Sequence, residues 1–519
     1  MITGKKHLWA VCLSLAAASP TLAEVTLSTK DGSLQVSGEL ISFDGTSYRI
    51  RTDLGLFSVP AGSVDCTGSE CPGAGGVATG QTIRGTGSDI LLSTLLHEAI
   101  RSYGRDAQAG VKIESNDQGM TSYVLTGFGG DLIAEFDMTP AQPSTSFDAL
   151  LAGEASVAFT SRRMTNPEVE KFIDAGFGDP TQAEQERIIA QDGLVAVVSP
   201  RNPVRTLTAI QLEGIYSGRI TNWSEVGGPN APIRAIAPAD GTGEADFFFE
   251  TILDPEFSEF GGSIERVDSA ADVANLVAQD DRAIGFTSTA LTEGAATIAL
   301  AGECGLEIEA TPFNIKSEDY PLSRRLYAYT PVAGGTRDQL SEFIEMLESE
   351  AGQEIAASTN FISLTADATS LDGQGRRVTF ALADRAQAGE ERNLRGFAEQ
   401  VVKADRLSTT FRFSSGSSQL DNKAQADAQR LADYLARPEN ANREVLLIGF
   451  TDSIGQSDVN TVLSVRRAQQ VLAEILAAAG NRVNDDRILV MGYGAAAPIA
   501  CNETDGGRQL NRRVEVWLR

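Results

Sequence analysis

The sequence predicts a multidomain α/β protein, with a small antiparallel β region at the N-terminus followed by two stretches in which strands alternate with helices. Three observations predict it. Residues 24–72 carry short β-rich runs divided by turn residues, residues from 81 onward repeat strand, glycine loop and helix, and residues 446–476 read as strand, loop and amphipathic helix. With 519 residues and 42% hydrophobic content, the chain is long enough for two or three domains with cores of their own.

The formal charge of −27 argues against nucleic acid and anionic membrane surfaces as partners, since both want dense Lys and Arg. At the start, Lys5 and Lys6 precede an apolar segment over 8–18 and a small-residue end at Thr21, Leu22 and Ala23. This pattern is a secretory signal over 1–23, with an apolar part too short for a permanent membrane anchor. Cys12 lies inside that segment and makes a poor lipidation site. No later run approaches the length of a membrane span, so the mature chain is expected to be exported, without a membrane-spanning segment. Loss of the leader leaves His97 as the one histidine, in a helical segment. Zinc sites and nucleophile–histidine machinery normally need a well-placed imidazole, and no nucleophile, base and orienting group can be assembled, so no enzyme, metal or cofactor is expected. Cys66 and Cys71 enclose four residues and are expected to pair in an oxidising compartment. Cys304 and Cys501 fall in separate predicted domains and are read as unpaired.

Taken in order, residues 24–72 form the small β domain, with runs at 25–27, 34–42, 47–52 and 56–59. Lys30, Asp31 and Gly32, then Asp44 and Gly45, then Asp53, Leu54 and Gly55 supply hairpin signals. The domain carries no chemical constellation and reads as a packing or partner-contact element. The glycine-rich residues 73–80 read as a linker.

The next domain opens with a strand running into Gly85, Thr86, Gly87, Ser88 and Asp89, followed by a helix with Ile90, Leu91, Leu95, Ala99 and Ile100 inward. Such a loop offers free backbone N–H groups to an anion, or is an ordinary capped glycine turn. Two further strand ends carry similar residues, at Thr160, Ser161 and Arg162 and at Asp240, Gly241, Thr242 and Gly243. Convergence of the three would favour a small polar anion in a cleft, with Thr86, Gly87, Ser88, Ser161, Arg162, Asp240, Thr242 and Gly243 as candidate ligands.

These segments resemble the phosphate-binding protein of ABC importers. The matching stretches are GTGSD with its helix, AFTSR, LTAIQLEGIYSGRITNWSEVGG at 207–228, ADGTGEADFF at 239–248, DRAIGFTS at 281–288 and YPLSRRLYAY at 320–329. The resemblance covers roughly 81–364 and implies two α/β lobes closing on a ligand. It implies a first lobe of 81 to about 188 plus the chain after Phe286, with the second lobe between. Pro238 and Glu244 stand where phosphate binders carry Arg and Thr, and Arg162 stands where they carry the Asp that accepts the phosphate proton. Glu244 would repel a dianion unless paired with Arg162 or Arg163.

Residues 365–406 read as a connector with one helix near 391–404. In the last domain, 407–519, Asn460, Ser464, Arg467 and Val471 share one face of the helix that follows the loop of Asp452. A carboxylate and a guanidinium so placed suit a zwitterionic amino acid group, or form a structural ion pair. TDSIG at 451–455, NTVLSVRRA at 460–468 and NRRVEVWL at 511–518 resemble the OmpA-like peptidoglycan-binding domain. That resemblance implies that Asp452 and Arg467 hold the diaminopimelate of the peptide stem. Asn511, Arg512 and Arg513 either help contact the glycan-peptide or are plain surface residues.

The expectation is an exported, non-enzymatic protein of a Gram-negative periplasm, associated with peptidoglycan and the outer membrane. It would bind peptidoglycan through its last domain and a small anionic solute such as phosphate in the cleft. The alternative is an envelope scaffold whose cleft is no longer a phosphate site and which recruits an envelope protein.

Overall fold

The computed structural model describes residues 24–30, 34–43, 47–52, 55–60, 63–67, 71, 81–117, 119–253, 258–331, 339–383, 390–414 and 420–519. The expected leader at 1–23 and linker at 73–80 lie outside the described residues. The chain divides into two compact units, Met1–Gly80 with Gly334–Asp338, and Gln81–Ala333 with Gln339–Arg519.

In the first unit the strands Gly55–Pro60, Ser47–Thr52, Gln35–Phe43 and Glu24–Thr29 lie side by side, each antiparallel to the next. A fifth strand, Val64–Thr67, beyond the four runs that the sequence predicts, pairs with Glu24–Thr29. Alternation turns Val25, Leu27, Tyr48, Ile50 and Val64 to one small core. Cys66 and Cys71 are joined, with their Cα atoms 5.6 Å apart, and pack against it.

The second unit is built on one large mixed sheet. Its 13-residue strand Glu186–Val198 has two long partners, and the short strand Ala296–Thr297 adds to its end at Val197 and Val198. The first half pairs with Ser323–Tyr329, and the second half, Leu194–Val198, with Ala283–Ser288. Each half carries its own core, which divides this part of the chain into two lobes. One core gathers Ile83, Leu95, Phe136, Phe159 and Phe343, and the other Val195, Trp223, Phe248, Phe286 and Tyr320. The run of buried residues along the shared strand is what a strand covered on both faces requires. The chain returns to the first lobe only at Ser323, later than expected, because Ile298, Leu300, Ile315, Tyr320 and Leu322 all pack in the second core.

The C-terminal sheet runs in the order Ala368–Thr369, Asp405–Arg412, Arg513–Leu518, Val445–Gly449, Ile488–Gly492. Helices Asn422–Ala436 and Ser457–Ala479 cover one face, through Leu431, Leu435, Ala468, Val471 and Ile475. Residues 365–406 are more than a connector: Phe397 and Val401 of helix Glu391–Val401, with Ala381 of helix Gly375–Ala383, cover Leu446, Ile448 and Trp517 on the other face. The single helix expected there has a companion because a central sheet needs both faces buried.

Candidate functional site

The strand Val445–Gly449 leads through Phe450 and Thr451 to Asp452, and the 23-residue helix Ser457–Ala479 returns past it. The helix lies close on the sheet because Gly449 has no side chain; a Cβ there would collide with the Ser464 backbone. The Ser464 hydroxyl accepts from the Gly494 N–H at 3.1 Å and donates to the Thr461 carbonyl at 2.7 Å. Asn460 pins the loop, its Nδ2 donating to the carbonyls of Ile454 at 3.1 Å and Asp452 at 3.4 Å.

Asp452 accepts from the Ile454 N–H at 3.1 Å and from Arg512 Nη1 at 2.8 Å. Arg467 is 1% exposed, and its guanidinium lies 5.3 Å from the centre of the Phe413 ring. Burial lowers its pKa first, the Arg512 cation lowers it further, and Asp452 opposes both. Its Nε and Nη1 have no hydrogen-bond partner among the described residues, and neither does the Thr451 hydroxyl next to Asp452. Of the seven buried polar side-chain atoms in that state, three thus belong to Thr451 and Arg467. A buried guanidinium with unspent donors thus lies near the Asp452 carboxylate, whose own charged partner is Arg512. Arg512 joins this site, whereas Asn511 and Arg513 are internal. Asn511 Oδ1 accepts from the N–H groups of Ile499 and Ala500 at 2.9 and 3.1 Å, and Arg513 Nε donates to Glu515 at 2.7 Å.

Between the lobes, the three predicted strand ends do meet. The Ser88 N–H donates to the Phe159 carbonyl at 3.0 Å, Gly87 lies so close to the same carbonyl that no Cβ fits, and Gly243 lies equally close to the Ser161 hydroxyl. Thr86 is buried with its hydroxyl 3.4 Å from that of Ser146. Thr242 accepts from the Ala245 N–H at 3.2 Å as a helix cap. Asp240 turns outward to Arg266 at 2.5 Å, its side chain 82% exposed. Arg162 does not offer its fork to the gap, since Nη1 and Nη2 donate to the two oxygens of Glu168 at 2.8 and 2.9 Å, and Nε to Asp246 at 3.3 Å. Glu168 is fixed there by helix-start geometry, because its Oε2 also accepts from the Thr165 N–H at 2.7 Å.

Glu244 pairs with neither Arg162 nor Arg163. Its Oε1 accepts from Arg324 Nη2 at 2.7 Å, and the same guanidinium holds Asp192 through Nε at 2.9 Å and Nη2 at 2.6 Å. Sequence reasoning missed this triad, although Arg324 stands in the quoted YPLSRRLYAY stretch; nothing local names Asp192 as its partner. Burial pushes the carboxyl pKa values of Asp246 and Glu250 up, beyond what Arg162 offsets. Around these strand ends Glu168, Asp246, Glu244 and Asp192 outnumber Arg162 and Arg324, while the Ser161 hydroxyl and Arg324 Nη1 have no hydrogen-bond partner among the described residues.

The correction to the cysteine reading is plain: Cys304 and Cys501 are joined, with Cα atoms 5.7 Å apart. Separate domains do not keep them apart, because the strand pair Ala299–Ala301 and Glu307–Ile308 brings Cys304 to the loop before helix Asp505–Asn511. A cavity of about 1570 Å³ lies alongside, lined by Arg162 and Phe247, by Leu306 and Pro321, and by Cys501 and Leu510.

Two lobes that share one long strand and face each other across a cleft, joined to a C-terminal α/β domain, describe a binding protein with an appended module. The chain belongs to the PBP superfamily, whose domain matches residues 73–350, more than half of its length. An OmpA family domain matches residues 412–512. The phosphate-binding protein PstS of Staphylococcus epidermidis is 28% identical over 228 residues, covering 42% of this chain and 67% of that protein. PstS of Pseudomonas aeruginosa is 27% identical over 242 residues, 44% of this chain and 73% of that one. Outer membrane porin F of Pseudomonas fluorescens is 38% identical over 116 residues, 22% of this chain and only 34% of its own length. Among solved structures, an ABC-type phosphate transport receptor from Vibrio cholerae has a TM-score of 0.42 at 24% identity, over 54% of this chain and 99% of that one. Among the described residues no helix is long and apolar enough to cross a membrane.

Proposed function

We propose that this is an exported, non-enzymatic envelope protein that binds peptidoglycan through its OmpA-like domain, with Asp452 taking the ammonium and Arg467 the carboxylate of diaminopimelate. The observation that carries the reading is the buried Arg467 guanidinium with Nε and Nη1 unpartnered beside Asp452. A structural ion pair would have spent those donors on protein acceptors. The leader-like residues 1–23 and that ligand support a location outside the inner membrane at the peptidoglycan, and we place it in a Gram-negative periplasm near the outer membrane. Sedimentation with isolated diaminopimelate-type cell wall tests it: the mature chain should pellet, and a variant carrying Asp452→Ala and Arg467→Ala should stay in solution. Equal retention of both would refute the site.

For the two-lobed module, the relatives' names favour capture of a small anion such as phosphate, which we assign to the strand ends bearing Thr86, Gly87, Ser88, Ser161, Thr242 and Gly243, with Arg162 and Asp240 joining only once released from Glu168 and Arg266. The occupied fork of Arg162 favours a second reading, an envelope scaffold whose cleft no longer takes phosphate. Melting curves of the mature protein with millimolar phosphate, and with sulfate in parallel, separate the two. A ligand at a hundred times its Kd adds about 2.7 kcal/mol and shifts the curve visibly, whereas the scaffold leaves it unmoved.

A further inference from the structure

The C-terminal domain touches both lobes and the strand pair that joins them. On the second lobe, Asp319 accepts from Arg406 Nη1 at 2.6 Å and Arg412 Nη2 at 2.8 Å, Lys316 donates to Asp367 at 2.5 Å, and Cys304 is bonded to Cys501. On the first lobe, Asn422 Nδ2 donates to the Thr181 carbonyl at 2.6 Å and to Glu186 at 3.2 Å. Between these, Arg325 of the returning strand reaches Asp421 at 2.7 Å. Asp421 also accepts from the Ala424 N–H at 2.9 Å, so the start of helix Asn422–Ala436 is seated on the crossover itself. Across the cleft the lobes meet directly: Gly243 against Ser161, Gln142 Nε2 on the Asp240 carbonyl at 3.0 Å, and Arg162 Nε on Asp246 at 3.3 Å.

We infer that the C-terminal domain is a brace across the hinge of the two lobes, holding the cleft shut, with the Cys304–Cys501 bond as its covalent latch. Lobe opening is a rotation about the shared strands, and a rigid body fastened on both sides of that axis resists it. Separation would strip Arg406 and Asp319, both nearly without exposure, of their mutual contacts and leave buried charges unpaired. The bond adds a restraint that neither salt nor acid removes, linking positions 197 residues apart. The inference does not depend on what either site binds.

The test is a distance distribution between ketone-linked spin labels at exposed Ile173 in the first lobe and Ile210 in the second, on the full mature chain. The oxidised protein should give one narrow distribution. Opening the bond with dithiothreitol, or by the paired substitution Cys304→Ser and Cys501→Ser, should broaden it or add a longer distance. Hydrogen exchange at residues 158–163 and 240–246 should accelerate at least ~10-fold when these amides open locally. A Cys66→Ser, Cys71→Ser control removes the other bond. If the serine pair fails to fold, reduction of the folded wild-type protein supplies the same comparison. A broad distribution in the oxidised protein overturns the brace, and a narrow one that survives verified reduction overturns the latch.

Discussion

Replacement of Arg467 by methionine separates a ligand site from a structural ion pair, because the two roles predict opposite changes in stability. In the folded domain the guanidinium is 1% exposed, with Nε and Nη1 unpartnered. Each buried donor left unsatisfied costs about 1–3 kcal/mol. Against that stands the contact with the Phe413 ring, 5.3 Å away, worth about 0.5–2 kcal/mol. Methionine keeps much of the packing volume and carries no charge. Two such donors less the ring contact leave a net of roughly 0–5 kcal/mol, so Arg467→Met is expected to stabilise the unliganded domain, by about 3 kcal/mol at the middle of that range. Truncating one partner of a buried hydrogen-bonded charge pair costs about 2–5 kcal/mol of binding, so affinity for the diaminopimelate stem should fall about 30-fold or more. Hydrogen exchange of the amides in helix Ser457–Ala479 measures the first quantity within the intact chain, and titration with cell-wall fragments the second. A variant destabilised by more than about 1 kcal/mol that still binds wall normally would refute the argument.

Further outcomes follow from the same geometry. Glu168→Gln removes the carboxylate that occupies the Arg162 fork, so a phosphate-dependent rise in melting temperature should appear in this variant and be weak in wild type; a shift of equal size in both would mean that the fork is not the obstacle. Burial alone would raise the carboxyl of Asp319, but Arg406 and then Arg412 outweigh it and hold the folded pKa below the usual range. Its contribution is therefore full above the unfolded pKa near 4 and is lost as pH falls through the depressed value; Asp319→Asn should flatten that acid loss in urea titrations run at a series of pH values. Asp246 and Glu250 run the other way: burial raises both, so the stability they withhold at neutral pH returns as pH falls toward about 4, and Asp246→Asn with Glu250→Gln should remove that gain. Phe248 stacks on Phe286 with ring centres 4.0 Å apart; Phe248→Ala should cost about 3–5 kcal/mol, read by hydrogen exchange in the second lobe, and a loss under about 1 kcal/mol would contradict the packing there.

Much of the C-terminal site was legible without coordinates. Helical spacing alone puts Asn460, Ser464, Arg467 and Val471 on one face, and all four are buried. The cleft was legible only in part. The glycine-bearing strand ends were found and do meet, but the charges set among them were given the wrong partners. Arg162 was expected to face a ligand and instead closes on Glu168, six residues along the chain, because Glu168 is held in place by its own helix cap.

The elements and their periodicity, the division into a β region and two α/β regions, and the shared helix face of Asn460, Ser464, Arg467 and Val471 are readable from the chain alone. Those properties are local, set by backbone preferences and by which faces must be buried. Only the tertiary structure decided which charges neutralise which, that Cys304 meets Cys501, and that residues 365–406 cover the back of the C-terminal sheet. Each of these depends on segments far apart in the chain, such as Arg324 with Asp192 and Glu244, or Arg406 with Asp319. A charge or a thiol carries no mark of its partner in the neighbouring residues, and the pairing exists only once the two cores have packed and fixed the distances between them.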